Sequence, residues 1–181
     1  MESNNLRKYY IIFAIALVAI VVFVSGCTTN QTSVPTKTYS AGGMSFDYPD
    51  TWNLTSSVNG NSTVITISDP EFTNNNGTSG DAAIVLRVPK TNNVTLESVK
   101  DSLLKNLEQS GNGTTTTRTV NGINANETTY NAQITNATAQ IKTIDFEKNN
   151  FIYFIMLLSI NKNATSEQKY YDVIINSFKP Q

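Results

Sequence analysis

At 181 residues, with 13 Lys and Arg against 14 Asp and Glu, the chain has a formal charge of −1, which leaves no basic footprint for nucleic acid, in a length that suits about one domain. It has one Cys and no His, and without imidazole there is no Ser-His-Asp or Cys-His catalysis, no His-ligated zinc and no His-based pH switch. Only 15% of its residues are charged, against the usual ~25%; the polarity comes instead from 23 Asn, 24 Thr and 16 Ser.

In chain order, residues 1–26 read as a signal peptide. Basic Arg7 and Lys8 precede an apolar run from Tyr9 to Val24, followed by Ser25-Gly26-Cys27. That run is shorter than the ~20 residues a bilayer-crossing helix needs, and its charged start and small-residue end are those of a secretory signal. Val24-Ser25-Gly26-Cys27 resembles the lipobox of secreted lipoproteins, although Leu is commoner where Val24 stands. The resemblance implies lipidation of Cys27, which also resolves an odd thiol in an exported chain. Arg7 and Lys8 stay on the cytoplasmic side, so the rest is expected outside the cell, on the outer face of the cell membrane. Residues 27–38 carry almost no apolar bulk and read as the lipidated Cys with a flexible tether.

From residue 39 to residue 181 the chain reads as one α+β domain. Met44-Ser45-Phe46-Asp47-Tyr48 alternates with the period of a half-buried strand that Pro49 ends. Asn59-Gly60 is a hairpin signal ahead of Thr63-Val64-Ile65-Thr66-Ile67, a second, β-branched strand. Residues 68–81 are nearly free of apolar side chains and predict a solvated loop, after which Ala82 to Val88 forms a buried strand closed by Pro89. Leu96, Val99, Leu103 and Leu107 make one stripe of a helix from Thr95 to Gln109, capped by Thr95 or Asn93, with Glu97 and Asp101 toward its positive end and Gly111 as its stop.

A meander follows: Thr114 to Val120, a turn at Asn121-Gly122, Ile123 to Asn131, Ala139 to Phe146 and Phe151 to Ile160. The last of these, FIYFIMLLSI, is too short to cross a bilayer as a helix and lacks alternation. Its composition is that of a strand covered on both faces, so helices are expected on both sides of the sheet. Thr165-x-x-Gln168 predicts a capping box for a final helix with Tyr171, Ile174, Ile175 and Phe178 on one face, ended by Pro180.

Nine asparagines stand in N-x-T frames: Asn30, Asn53, Asn61, Asn76, Asn93, Asn112, Asn126, Asn136 and Asn163. Composition alone would give about three such frames, and a modified asparagine has to lie at the surface. Lipobox and dense frames together point to a glycosylated archaeal cell-surface protein.

Phe46-Asp47-Tyr48-Pro49-x-x-Trp52, the mid-chain helix, the Asn121-Gly122 hairpin, the late hydrophobic strand and the ending Ile174-Ile175-Asn176-Ser177-Phe178 resemble the PsbP family, including the PsbP-related lipoproteins of bacteria and archaea. The resemblance implies a PsbP-like α/β/α sandwich, a central antiparallel sheet flanked by helices, similar in fold to a small Ran-binding nuclear import factor. It implies that Phe46, Tyr48, Pro49 and Trp52 build the first sheet edge and an aromatic wedge, and that Phe178 locks the last helix. Plant members help retain Ca2+ and Cl− at a manganese cluster and dock through an N-terminal extension. Here Cys27 stands in place of that extension and no His is available, so photosystem function is not carried over.

The remaining chemistry is sparse. Asp69, Glu71, Asn74, Asn75, Asn76 and Asp81 are ligand types that Ca2+ takes, without the spacing of a calcium loop. Asp145 and Glu147 share a strand face and are the nearest carboxylate pair for glycoside hydrolysis, though a solvated strand end explains them equally well. Gly42-Gly43 lacks the helix and Lys of a phosphate loop. The expectation is a non-enzymatic, lipid-anchored, glycosylated surface protein without cofactor or assigned metal site. It would bind or stabilise an envelope component, either a protein or a surface polymer. The alternative is a delivery lipoprotein for a solute or Ca2+.

Overall fold

The computed structural model describes residues 34–105, 108–109, 113–134 and 137–181. The strands of the first half are β1 (Thr36–Ala41), β2 (Met44–Pro49), β3 (Asn53–Asn59), β4 (Ser62–Ser68) and β5 (Gly80–Pro89), with helix α1 (Pro70–Asn74) between the last two. Helix α2 (Leu96–Leu104) follows, then β6 (Glu108–Gln109), β7 (Thr114–Val120), β8 (Ile123–Ile134), β9 (Ala137–Lys148), β10 (Phe151–Ile160), helix α3 (Ala164–Ser177) and β11 (Lys179–Pro180). An eight-stranded antiparallel sheet runs β3-β4-β5-β10-β9-β8-β6, with β7 also pairing β8, and a separate three-stranded sheet runs β1-β2-β11.

β10 sits at the centre, paired along its whole length with β5 and β9. The strand period sends Tyr153, Ile155 and Leu157 into one core, and Ile152, Phe154, Met156 and Ile160 into the other. The first core is closed by α3 and the small sheet, the second by α2 and by Phe72 of α1. A strand with two dry faces has no polar alternation to show, which is why its sequence is continuously apolar; each fully buried side chain contributes about 1.5–3 kcal/mol. This is the expected α/β/α sandwich.

Aromatic packing joins the two sheets. Phe46 of β2 stacks on Tyr39 at 5.4 Å and on Phe178 at 6.0 Å, and Phe178 meets Phe146 and Tyr153 edge-on, each at 6.0 Å. Trp52 packs against Tyr170 and Tyr171 of α3. The wedge therefore forms, but its strand is the middle of the small sheet, not an edge of the large one, because β1 and β11 take both of its sides.

Tight turns follow local chemistry. Asn121 (φ 47°) and Gly122 (φ 78°) close the β7–β8 hairpin, and Asn149 (φ 50°) and Asn150 (φ 65°) close β9–β10, the left-handed conformation that Asn and Gly tolerate best.

Five sequence readings shift. β1 begins at Thr36, so the last three residues of the presumed tether are paired with β2. β3 (NLTSSVN) carries no apolar alternation and was not expected; it is an exposed edge held by its register with β4. Residues 68–81 are not wholly a solvated loop, since Asp69 caps α1 and Gly80 and Asp81 are buried at the start of β5. α2 ends at Leu104, and Glu108–Gln109 pairs with β8 instead of prolonging the helix. Thr95 is its cap, in a reciprocal box with Ser98. The cap of α3 is Asn163, whose Oδ1 accepts the Thr165 N–H at 3.0 Å, two residues ahead of the predicted box.

Gly80 (φ +114°) allows the chain to enter β5. A Cβ there would lie 2.5 Å from the Phe72 nitrogen and 2.6 Å from Asp69 Oδ1. Gly80→Ala is expected to destabilise by about 1–3 kcal/mol through strain and lost capping, read as a lower denaturation midpoint with unchanged slope.

Candidate functional site

The residues singled out in the sequence fall on different parts of the molecule. Cys27, Asn30, Asn112 and Asn136 lie outside the described residues. Asn53, Asn61, Asn76, Asn93, Asn126 and Asn163 are all exposed, yet their surroundings differ. Thr55, Thr78, Thr95 and Thr165, the third residues of four frames, are exposed too. Thr63, third after Asn61, is buried and donates to the Gly42 carbonyl at 3.0 Å. Thr128, third after Asn126, is buried against the Thr115 hydroxyl at 3.0 Å.

The calcium-type residues do not converge. Asp69 Oδ1 accepts the Phe72 N–H at 2.6 Å, Glu71 pairs with Lys162 and accepts from Ser79 at 2.7 Å, and Asp81 turns inward. The Lys162 ammonium, followed by the Ser79 hydroxyl, holds the Glu71 carboxyl below its ordinary value, and Glu71 in turn raises Lys162. Among the described residues no three Asp, Glu or Cys side chains gather as a metal would require.

Asp81 is instead the acceptor of a buried constellation that no local pattern announced. Ser159 Oγ donates to its Oδ1, Tyr171 Oη lies 2.7 Å from the same oxygen and 2.7 Å from the Leu158 carbonyl, and the two hydroxyls are 3.0 Å apart. β5, β10 and α3 are thereby tied at one point. Burial raises the Asp81 pKa above its ordinary value against the opposing effect of its two hydroxyl donors, and burial, with the Asp81 charge, pushes the Tyr171 hydroxyl far up. A cavity of about 10 Å³ beside Ser159, Tyr171, Lys142 and Gln168 has the size of one water.

The second buried carboxylate is Asp145. Far from ending a solvated strand, it is 1% exposed, because β9 lies between β8 and β10 and this stretch is roofed by α2. Its Oδ2 accepts the Asn126 amide at 3.1 Å, its Oδ1 faces Lys100 Nζ at 3.7 Å, and Glu147 pairs separately with exposed Lys90. The suspected carboxylate pair is thus split between interior and surface. Asp145 Oδ1 and the hydroxyl of Thr143, two residues earlier on the same face, have no hydrogen-bond partner among the described residues. Lys100 also lines an open groove of about 760 Å³ between α2 and β8, with Glu97, Asp101, Leu104, Lys105 and Tyr130.

On the opposite face, Arg118 reaches Glu127 at 3.0 Å and Asn176 at 2.8 Å, while Lys142 reaches Gln168 at 2.8 Å. This network clamps α3 to β7, β8 and β9.

Layered α+β architecture, a wedge built from Phe46 and Trp52, and polar groups spent on joining layers define a small two-core scaffold of the PsbP type. The chain belongs to the PsbP-like protein family, whose model matches residues 11–180. Among solved structures it is similar to cyanobacterial PsbP (CyanoP) from Synechocystis sp. PCC 6803, at 14% identity and a TM-score of 0.53 over 87% of this chain and 99% of that one. A protein of Bacteroides thetaiotaomicron matches at 11% identity and a TM-score of 0.50, over 80% of this chain and 48% of that one. LpqN, involved in cell envelope biogenesis of Mycobacterium tuberculosis, matches at 14% identity and a TM-score of 0.46 over 86% of this chain and 98% of that one. No curated protein matches in sequence. At these identities the likeness is one of fold, and a fold of this kind does not carry a function with it.

Proposed function

We propose that the chain is a non-enzymatic PsbP-like domain, moored by lipid at Cys27 to the outer face of the cell membrane and N-glycosylated, that binds or stabilises another envelope component. The observation that supports it best is the exposure of every N-x-T asparagine among the described residues. The compact unit also begins at Val34, shortly after the lipobox.

The test is intact-mass analysis with glycopeptide mapping of protein from native membranes. The expected mass is that of a chain starting at Cys27 with acyl and sugar increments; an unmodified chain starting at Met1 would sink the reading. A transferase working on the folded domain needs both the amide and the Thr hydroxyl of a frame. Sugar is therefore expected at Asn53, Asn76, Asn93 and Asn163 and not at Asn61 or Asn126, whose Thr63 and Thr128 are buried. Sugar at either of those two would mean that attachment precedes folding.

A second reading, delivery of a small solute, draws its support from the α2–β8 groove. Its calcium version is weakened by the separate engagements of Asp69, Glu71 and Asp81, and calorimetric heat on adding Ca2+ would restore it.

A further inference from the structure

We propose that β3 is a self-association edge, through which two copies of this chain pair antiparallel about a two-fold axis at Ser56. The pairing requires neither lipid nor sugar, so it stands apart from the function proposed above.

β3 ends the large sheet. It pairs with β4 on one side, and no other described backbone group bonds to residues 53–59. A free row of N–H and C=O groups is a template for another strand, and proteins ordinarily blunt it with charge or proline. The other described edge strands do so: β1 carries Lys37, β6 Glu108, β7 Arg118, and β11 Lys179 and Pro180. β3, NLTSSVN, has neither device over seven residues, of which only Leu54 is not exposed. The large hydrophobic side chains left exposed among the described residues, Val58 at 56% and Val64 at 41%, stand on β3 and its neighbour β4.

The order of side chains selects a second copy as the partner. NLTSSVN reads the same by chemical class in both directions. Antiparallel pairing centred on Ser56 sets Leu54 opposite Val58 of the second copy, Thr55 opposite its Ser57 and Asn53 opposite its Asn59, so apolar meets apolar, hydroxyl meets hydroxyl and amide meets amide. The register with β4 places Leu54, Ser56 and Val58 beside Ile67, Ile65 and Thr63, on the face of the first core. Val58 is thereby covered, and the apolar face of the first core continues across the seam.

The palindrome also closes the assembly. Pairing β3 with a different edge of another copy would leave free edges at both ends and grow an open chain, whereas an isologous pair uses both copies of β3 and stops at two. Asn53, Thr55 and Ser57 project from the opposite sheet face, out of the plane of the backbone hydrogen bonds, so sugar on Asn53 flanks the seam. Seven residues a side is well below the ~20–30 of a standard interface, and the association is weak and reversible.

The test is cross-linking of the full chain in mild detergent with a short bis-maleimide, over a range of concentrations, using Ser56→Cys, Asn59→Cys and the parent chain, whose link through Cys27 sets the background. Across the proposed axis the two positions 56 stand about 5 Å apart between Cβ atoms and the two positions 59 about 20 Å. Ser56→Cys is expected to yield covalent dimer above background and Asn59→Cys none. Sedimentation of the parent chain should show a mass that rises toward two chains with concentration. Ser56→Asp, which sets two carboxylates face to face at an exposed position, should weaken association at least ~tenfold with an unchanged denaturation midpoint. A parent chain that stays single at every concentration overturns the proposal, as does equal cross-linking at positions 56 and 59, self-association unchanged in Ser56→Asp, or a dimer formed by sugar-free chain and not by chain taken from its own membranes.

Discussion

Truncating Phe178 to Ala is expected to lower stability by about 3–5 kcal/mol, the largest loss from any single side chain considered. Phe178 is fully buried just after the last turn of α3, where its ring touches Phe46 of the small sheet and Phe146 and Tyr153 of the large one. No neighbour can fill the gap, because its contacts come from three separate elements that hold one another apart. For a domain of this size the change corresponds to a fall in Tm of roughly 10 °C. Phe178→Leu should recover part of it, and equal stability of the Ala variant and the parent protein in urea would show that the aromatic junction does not hold the sheets together.

Tyr171→Phe is expected to cost about 1–3 kcal/mol. The ring is kept, so packing on Trp52 survives, but the one hydroxyl proton that lies between Asp81 Oδ1 and the Leu158 carbonyl is lost, and the Asp81 side chain keeps only Ser159. The pH dependence has a definite sign. Burial raises the Asp81 pKa in the folded state, so its protonated form favours folding. That contribution is fully present below the unfolded value of about 3.9 and is lost as pH rises through the folded value. In Asp81→Asn the group no longer titrates, so the stability difference between Asn variant and parent should shift in favour of the variant as pH climbs through that window. Parallel stability curves would place the titration elsewhere.

The same constellation explains why parts of the molecule were hard to read in advance. Asp81 meets Ser159 and Tyr171, 78 and 90 residues away, and Lys100 meets Asp145 across the α2–β9 contact. A polar side chain is buried only when distant partners satisfy it, and those partners are chosen by the fold. One signal was available: Asp145 stands between Ile144 and Phe146 in a strand next to FIYFIMLLSI, and an acid so flanked in a sheet with two dry faces has to be interior. β3 offered no such clue, since NLTSSVN is exposed on nearly every residue and is a strand only because β4 lies beside it.

Periodicity, turn chemistry and composition determined a sheet with helices on both sides, a strand at Phe151–Ile160 covered on both faces and the Asn121-Gly122 hairpin, because each is a short-range consequence of which face of an element is apolar; the aromatic wedge of Phe46-Asp47-Tyr48-Pro49-x-x-Trp52 followed from the resemblance to the PsbP family. Tertiary structure alone decided that β2 forms a second sheet, that Asp81 is interior and meets Ser159 and Tyr171, which sequon threonines are covered, and that a groove opens between α2 and β8. These depend on which elements meet after the chain has turned back on itself, and contact between distant residues follows from packing, not from local pattern.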